Sequence, residues 1–336
     1  MSSLSSILPL IQKYTLFGMS WIYVTFGVVG CLLNIFLFCR KQFRTMSCCT
    51  YFLAASVAML IQLLIYAIPT IYGFYYANPL TYIVVYCKIR MYIVQITSLV
   101  YRWAFAAASF DRYALSSPHA RLRRLANVHI ACKVIGISTI IWFVLSACIP
   151  VVYDIKSSSC GVYVNSFWPV FISMFSLVIG SFFPIVIMII CTLLIRNNLS
   201  SKRQRRQNFD HQLGNKSIQF HQKRDHQALR MLFAQIIMYT IITIPWMLYS
   251  INTIISSYIP NKSADRITVE NFVTAVAGGL VFSFPAISFY LYTLTSSMFR
   301  GELLNMLQSL FCWKCFFNNH RIEPATSFNI QRTHPM

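Results

Sequence analysis

The chain has 336 residues, of which 57% are hydrophobic and 11% are charged, and its formal net charge is +20. The apolar residues lie in several separate blocks of about 20 or more, which a soluble core does not require, so we predict a polytopic membrane protein. The basic residues lie in the polar gaps between these blocks. This pattern is typical of the positive-inside topology of membrane proteins rather than of a nucleic-acid-binding face. We therefore expect membrane lipids and no nucleic acid as partners.

Taken in chain order, the blocks predict an all-α membrane protein, a bundle of seven transmembrane helices. A short N-terminal segment, residues 1–17, precedes the transmembrane domain, residues 18–295. The predicted spans cover residues 18–39, 48–72, 88–112, 129–152, 167–195, 228–255 and 269–293. Pro69, Pro184 and Pro245 lie inside predicted spans, where proline removes a backbone hydrogen bond and kinks the helix.

The charges orient this bundle. With the N terminus outside, 21 of the 28 Lys and Arg residues fall on the inside and five on the outside. The positive-inside rule favours this orientation. The other two, Arg90 and Arg102, lie within the third span. We therefore expect a multi-pass plasma-membrane protein with an extracellular N terminus and a cytoplasmic C terminus.

Residues 296–311 follow the last span and predict an amphipathic helix on the membrane surface. Its apolar face carries five residues at helical spacing: Phe299, Leu303, Met306, Leu307 and Leu310. Cys312 and Cys315 open the predicted tail, residues 312–336. They are candidate palmitoylation sites, and two unmodified cysteines are an equal alternative. Because this pair has no second pair to complete a zinc site, we expect no metal and no cofactor.

Several motifs in this order resemble those of the rhodopsin-like (class A) G-protein-coupled receptors. Asp111-Arg112-Tyr113 ends the third span as the family's Asp-Arg-Tyr does, and Tyr292 stands where the family has the tyrosine of Asn-Pro-x-x-Tyr. Four further positions match the family's markers of spans one, four, five and six: Asn34, Trp142, Pro184 and Pro245. The resemblance, a divergent one, implies a receptor rather than an enzyme.

The resemblance also implies a disulfide between Cys87 and Cys160, and partners on both sides of the membrane. These are an extracellular ligand, a heterotrimeric G protein and, as a further partner to consider, arrestin. The chain departs from the family at Val57, where a buried aspartate is usual, and at Thr243, where a tryptophan is usual. The span-seven motif is also changed, with its proline moved upstream to Pro285. These departures leave the route of activation open.

Arg112 is a cation at the membrane edge, so it needs a partner there. Asp111 is adjacent, and Asp225, just before the sixth span, is the second candidate. A pair between spans three and six would hold the inner ends together, and breaking it would open a cavity for a G protein. The alternative is that Asp225 is solvated in a charged loop.

Two residues narrow the ligand class. Val94 replaces the aspartate of amine receptors, and Phe282 replaces the lysine of visual pigments, which argues against both classes. The remaining candidate pocket lining mixes a cation, hydroxyls and aromatic surface: Arg90, Val94, Gln95, Ser98, Ser176, Trp246, Met247, Ser250 and Glu270. A peptide is the leading ligand, a short amidated neuropeptide being one form of it, and a small chemosensory molecule is second. Residues 153–165 predict a short hairpin over this pocket.

The two arginines in the third span admit two interpretations each. Arg90 either meets an anionic ligand group or pairs with Glu270. Arg102 either bonds backbone carbonyls near Pro184 and neighbouring hydroxyls, which we favour, or contacts the ligand. A transporter or a channel is a less favoured function, because the spans carry neither acids at paired positions nor a filter sequence.

Overall fold

The computed structural model describes the backbone of residues 3–156, 159–162, 167–207, 216–256, 259 and 263–319. Side chains are described within these ranges except at residues 3–6, 159, 201–207, 216–226, 264 and 310–319. The α-helices are α1 Ser3–Ile22, α2 Val29–Phe38, α3 Lys41–Arg44, α4 Ser47–Tyr75, α5 Val84–Ser116, α6 Ala120–Leu125, α7 Val128–Leu145, α8 Ile149–Val152, α9 Phe167–Leu177, α10 Phe183–Gln207, α11 Lys216–Ser256, α12 Ala264–Val281, α13 Ser283–Thr295 and α14 Ser297–Asn319. Two π-helical turns, Tyr23–Val28 and Val178–Phe182, continue the helices on either side of them, and a 3₁₀ turn covers Pro79–Thr81.

Six helical stretches within the described ranges are long and apolar enough to cross a membrane. We name them spans one, two, four, five, six and seven, in the order Ile7–Phe38, Ser47–Tyr75, Val128–Val152, Phe167–Ser200, Gln227–Ser256 and Asp265–Thr295. Span three is α5, whose 33 residues extend about 50 Å at 1.5 Å per residue. The predicted seven-helix bundle is therefore confirmed.

Span three is less apolar than the other six because the bundle surrounds it. Helix α5 packs against α4, α7, α10 and α11. It buries charged and polar side chains along its length, among them Arg90, Arg102 and Asp111. Polar groups are tolerated at membrane depth where protein rather than lipid surrounds them, so the least apolar helix occupies the centre.

A two-stranded antiparallel sheet closes one end of the bundle. Strands β1 Tyr153–Lys156 and β2 Ser159–Val162 pair with Ile155 opposite Cys160. A disulfide joins Cys87, in the first turn of α5, to Cys160. The predicted hairpin and disulfide are both confirmed. We name this end of the molecule the hairpin end and the opposite end, where span three finishes, the Arg112 end.

The predicted N-terminal segment is helical and continuous with span one from Ser3 onward. Phe17 stacks on Phe74 of span two at a centroid distance of 4.0 Å, and the Lys13 ammonium lies 4.8 Å from the same ring. Farther along span one, a Cβ at Gly27 would lie 2.8 Å from Leu63 and 3.0 Å from Ala286. Glycine there lets spans one, two and seven approach closely.

The amphipathic helix after span seven is longer than predicted, because α14 begins at Ser297 and continues to Asn319. Phe299 is fully buried among the rings of Phe38, Phe43 and Tyr292, at centroid distances of 5.7, 6.1 and 5.7 Å. On the polar side, Glu302 accepts a 2.9 Å hydrogen bond from Arg40 in the loop after span one. These contacts dock the first turns of α14 on the bundle.

Candidate functional site

At the Arg112 end, three side chains from spans two and three form a buried polar cluster. Arg112 donates from Nε and Nη2 to Asp111 Oδ2, at 3.1 and 2.9 Å. Ser47, the first residue of α4, donates to the same oxygen at 2.8 Å and accepts from Arg112 Nη2 at 3.3 Å. The Asp111 and Arg112 side chains are both only 3% exposed. A charge pair this well shielded interacts strongly, and the hydroxyl satisfies part of its remaining hydrogen-bonding capacity.

Two further residues predicted for this region are Tyr113 and Asp225. The ring of Tyr113 faces Phe110, with their centroids 6.1 Å apart. Asp225 lies within α11, but its side chain is outside the described residues, as are those of Cys312 and Cys315. The predicted pairing of Asp225 with Arg112 therefore stays a prediction.

Two further contacts join helices at the Arg112 end. Asn198 of span five donates to Ser116 of span three at 3.2 Å. Gln227, the first residue of span six, donates to Ser297 at 2.7 Å and accepts from the backbone N–H of Met298 at 3.0 Å. The start of span six is thus bonded directly to the start of α14.

Tyr292 is packed rather than hydrogen-bonded. It is fully buried, and its ring lies 5.3 Å from those of both Phe38 and Phe52. Its hydroxyl has no hydrogen-bond partner among the described residues. One turn earlier, Ser288 accepts from the Asn34 amide at 3.3 Å, and this hydrogen bond joins span one to span seven.

Arg102 is buried between spans three and five. Its Nη1 donates to the Gly180 carbonyl at 3.0 Å and to the Ser181 hydroxyl at 3.3 Å. Pro184 has no N–H, so the carbonyl four residues earlier, that of Gly180, lacks its usual helical donor. Arg102 supplies the missing bond. The favoured interpretation of this residue, as a donor to backbone near Pro184, is confirmed.

The local sequence of span five makes room for this contact. A Cβ at position 180 would lie 3.2 Å from Arg102 Nη1, so glycine permits the close approach. The π-helical turn Val178–Phe182 also presents the Ile179 carbonyl, which accepts from the Trp103 indole at 3.1 Å. The Tyr239 hydroxyl of span six lies 3.5 Å from the Gly180 oxygen. Spans three, five and six therefore meet at one backbone irregularity.

Arg90 lies near the hairpin end and contacts span two. Its Nε donates to the Ile65 carbonyl at 3.2 Å, and its guanidinium carbon lies 5.8 Å from the centre of the Tyr66 ring. Glu270 accepts instead from Ser256 at 2.6 Å and from Arg266 at 3.0 Å. The structure therefore does not bear out the alternative in which Arg90 pairs with Glu270.

The remaining predicted pocket residues divide into separate groups. The Trp246 indole donates to Ser176 at 3.3 Å, and Ser250 donates to the Trp246 carbonyl at 2.9 Å. Val94 and Met247 pack against the buried core, and Ser98 is itself buried. Trp246 and Ser176 thus form a polar contact between spans six and five, whereas Arg90 contacts span two.

Two cavities of very different size near the hairpin end each include one predicted residue. Gln95 lines a cavity of about 10 Å³ between spans three, four and five. Glu270 lines a more open cavity of about 390 Å³ between spans six and seven, beside Asn252 and Arg266. These two predicted pocket residues therefore lie at different cavities.

Sequence reasoning missed several polar residues of these clusters. Ser47 and Gln227 each occupy the first turn of a span, where a polar residue is expected simply because the turn borders a loop. Tyr66 and Tyr239 sit inside apolar blocks, where an aromatic residue reads as core. The prolines were the exception. A proline inside a span has no N–H, so the carbonyl four residues earlier needs another donor, and the sequence alone shows where that carbonyl is.

Comparison with known proteins agrees with this architecture. No curated protein matches the chain with significant similarity. Residues 19–287 match the family described as "7 transmembrane receptor (rhodopsin family)". The match covers more than half of the chain and includes nearly all of the helical bundle. The chain therefore belongs to the rhodopsin family of seven-transmembrane receptors, which are G-protein-coupled receptors and not enzymes.

Proposed function

We propose that the protein is a plasma-membrane receptor that binds an extracellular ligand at the hairpin end and activates a heterotrimeric G protein at the Arg112 end. The observation that carries the proposal is the buried Ser47–Asp111–Arg112 cluster. It lies at the far end of span three from the hairpin, and span three is long enough to connect the two membrane surfaces.

In this proposal, activation is an outward movement of span six. The contacts of Gln227 with α14 hold the start of that span against the bundle. In the same proposal, the predicted pair of Arg112 and Asp225 is a second connection, and it joins span six to span three. A ligand that binds the open state more tightly shifts the equilibrium towards it, and an inner cavity then becomes available to the G protein.

A peptide is the favoured ligand class. The Cys87–Cys160 disulfide ties the hairpin to span three and holds it at this end of the bundle. Beneath it, the polar groups at Arg90 and at Ser176–Trp246 are separated, and an extended ligand can contact both. Membrane lipids contact the apolar exterior, and arrestin is a further partner at the Arg112 end.

The experiment that tests this proposal measures basal nucleotide exchange on a panel of G proteins, with the receptor in membranes. We expect Asp225→Ala to raise exchange severalfold, because it removes one connection that holds the closed state. Adding Arg112→Ala should abolish the increase. Glu302→Gln is the matched control, since Glu302 is an acid at the same end that pairs with Arg40 instead.

Two results would count against the proposal. Exchange equal to that of empty membranes for every variant, with surface expression confirmed, would exclude G-protein coupling. A rise in Glu302→Gln equal to that in Asp225→Ala would show that any loss of acidic charge at this end has the same effect.

A further inference from the structure

The guanidinium of Arg90 points into the bundle near the hairpin end. It lies over the ring of Tyr66, which in turn stacks on Phe282 of span seven at a centroid distance of 3.7 Å and an interplanar angle of 15°. Arg90, on span three, is 9% exposed. The cation is therefore enclosed between spans two, three and seven rather than directed to the lipid.

A backbone defect in span two holds Arg90 in place. Pro69 has no N–H, so the Ile65 carbonyl, four residues earlier, lacks its helical donor. Arg90 Nε donates to this oxygen at 3.2 Å. With Nε bonded to the backbone and the guanidinium plane beside Tyr66, the orientation of the group is set before any ligand arrives.

No acidic side chain neutralises this cation within the described residues. Asp154, Asp265 and Glu270 are the acids at the hairpin end. Asp154 accepts from the backbone of Ile155 at 2.8 Å, and Glu270 accepts from Ser256 and Arg266. None of the three contacts Arg90, and its terminal nitrogens Nη1 and Nη2 have no hydrogen-bond partner in the described part of the chain.

We infer that Arg90 is the site that recognises a carboxylate group on the ligand, through Nη1 and Nη2. A guanidinium offers parallel N–H donors that match the two oxygens of a carboxylate, and such a pair is strong where water is largely excluded. The inference rests on the proposed receptor function and narrows the ligand class to molecules with a free anionic end.

The surface charge at the hairpin end agrees with an anionic ligand. Basic residues outnumber the three acids there in the sequence: Lys13, Lys88, Lys156, Lys262 and Arg266. A positive surface raises the local concentration of anions and their rate of association. Both a peptide with a free C terminus and a small organic acid supply a carboxylate. An amidated peptide does not, so the inference replaces the amidated form of the peptide prediction with a free-acid form.

Two pairs of probes test the inference on the purified receptor in lipid nanodiscs, without a G protein. The first pair is hexanoate and hexanamide, and the second is N-acetyl-trileucine as the free acid and as the amide. Binding is measured as the concentration-dependent rise in the midpoint of thermal unfolding. We expect a free acid to raise the midpoint and its amide not to do so. The acid that binds identifies the source of the carboxylate as a small molecule or a peptide.

Three variants test whether Arg90 is the residue that binds the acid. Arg90→Gln should weaken binding of the acid by about tenfold or more, because it removes the charge-assisted hydrogen bonds. Arg90→Lys should keep part of the affinity, since it retains the charge but not the paired donors. Lys88→Gln is the matched control, because it removes a cation only two residues away in the sequence, and it should weaken binding much less than Arg90→Gln does.

The inference is overturned if neither acid is distinguished from its amide, or if Arg90→Gln and Lys88→Gln weaken binding equally. Elution profiles and midpoints without probe show whether each variant is folded. If Arg90→Gln does not fold, the comparison of Arg90→Lys with wild type decides the outcome, because equal affinities would exclude paired recognition. Loss of G-protein coupling would not affect these measurements, so the two proposals fail separately.

Discussion

Two of the buried arginines of span three, Arg90 and Arg102, each bond a carbonyl that a proline in a neighbouring span leaves without its helical donor. Arg90 bonds Ile65, four residues before Pro69, and Arg102 bonds Gly180, four residues before Pro184. A backbone carbonyl left unpaired at membrane depth is costly, and so is a buried cation without acceptors. Each group therefore satisfies the other, which explains why two such unfavourable groups are tolerated in the centre of the bundle.

This explanation predicts a specific coupling between Arg102 and Pro184. Arg102→Leu removes the donor to Gly180, whereas Pro184→Ala restores a backbone N–H that can reach the same oxygen. We expect the cost of Arg102→Leu in the free energy of unfolding to be smaller by about 1 kcal/mol in the Pro184→Ala background. Thermal or denaturant unfolding of the four proteins in detergent gives the value.

Pro69→Ala is the control background for that cycle. It restores an N–H to span two, where the arginine partner is Arg90 and not Arg102. The cost of Arg102→Leu should therefore be the same with and without Pro69→Ala. An equal reduction in both backgrounds would indicate a general effect of removing proline rather than the proposed pairing.

At the scale of single residues, the sequence supported a prediction where it showed both a group that needs a hydrogen-bond partner and a position that could supply one. Arg102 required acceptors, Pro184 indicated where one would be, and the structure brings them together. The partner of Arg90 was not predictable in the same way, because Glu270 and Ile65 are both within plausible reach until the rotation of span two is known. Ser47 had no signal, since its role depends on how spans two and three pack.

At the scale of elements, the junction between span six and α14 has a clear physical cause. The first N–H groups of any helix lack intrahelical acceptors. Gln227 Oε1 accepts from the Met298 N–H at 3.0 Å, while its amide donates to Ser297 at 2.7 Å. One side chain of span six thus caps the N terminus of α14. The cap and an outward position of span six exclude each other, since the bonds require contact.

We therefore predict that Gln227→Ala raises basal nucleotide exchange. Losing about 1 kcal/mol of hydrogen bonding from the closed state alone shifts the equilibrium about fivefold towards the open state. Gln227→Glu is the control, because it keeps an acceptor for Met298 and adds a charge that a helix N terminus favours. Exchange in Gln227→Glu should remain closer to wild type. Equal rises in both variants would contradict a capping role.

Elements were predicted well where the local sequence determines their structure. They were predicted poorly where tertiary packing determines whether a helix forms or where it ends. The hairpin was predicted from a short segment of the sequence, and the disulfide was predicted from the resemblance to the receptor family. The continuation of α14 to Asn319 was not, because the apolar pattern used to end it at residue 311 only reports which face meets the membrane. The helical N-terminal segment was also missed, since its contacts with Phe74 are tertiary.

At the scale of the whole molecule, polarity decreases from the centre of the bundle towards its outer surface. Span three carries buried charges, whereas span four exposes large apolar side chains such as Ile137, Ile140 and Val144. This order reverses that of a soluble protein, because lipid replaces water outside the bundle. It also explains why, among the described residues, length and apolar composition alone identify six of the spans but not the central one.

The charge distribution predicts how the bundle is inserted. By sequence, 21 of the 28 Lys and Arg residues belong to the segments predicted to lie inside, and Arg112 is one of them, so the Arg112 end should face the cytoplasm. An antibody should detect an N-terminal tag on intact cells and a C-terminal tag only after permeabilisation. Because the bias is spread over several segments, replacing Arg40, Lys41 and Arg44 together with Gln should lower the yield of inserted protein without inverting it. A C-terminal tag detected on intact cells would place the Arg112 end outside, where no G protein could reach it.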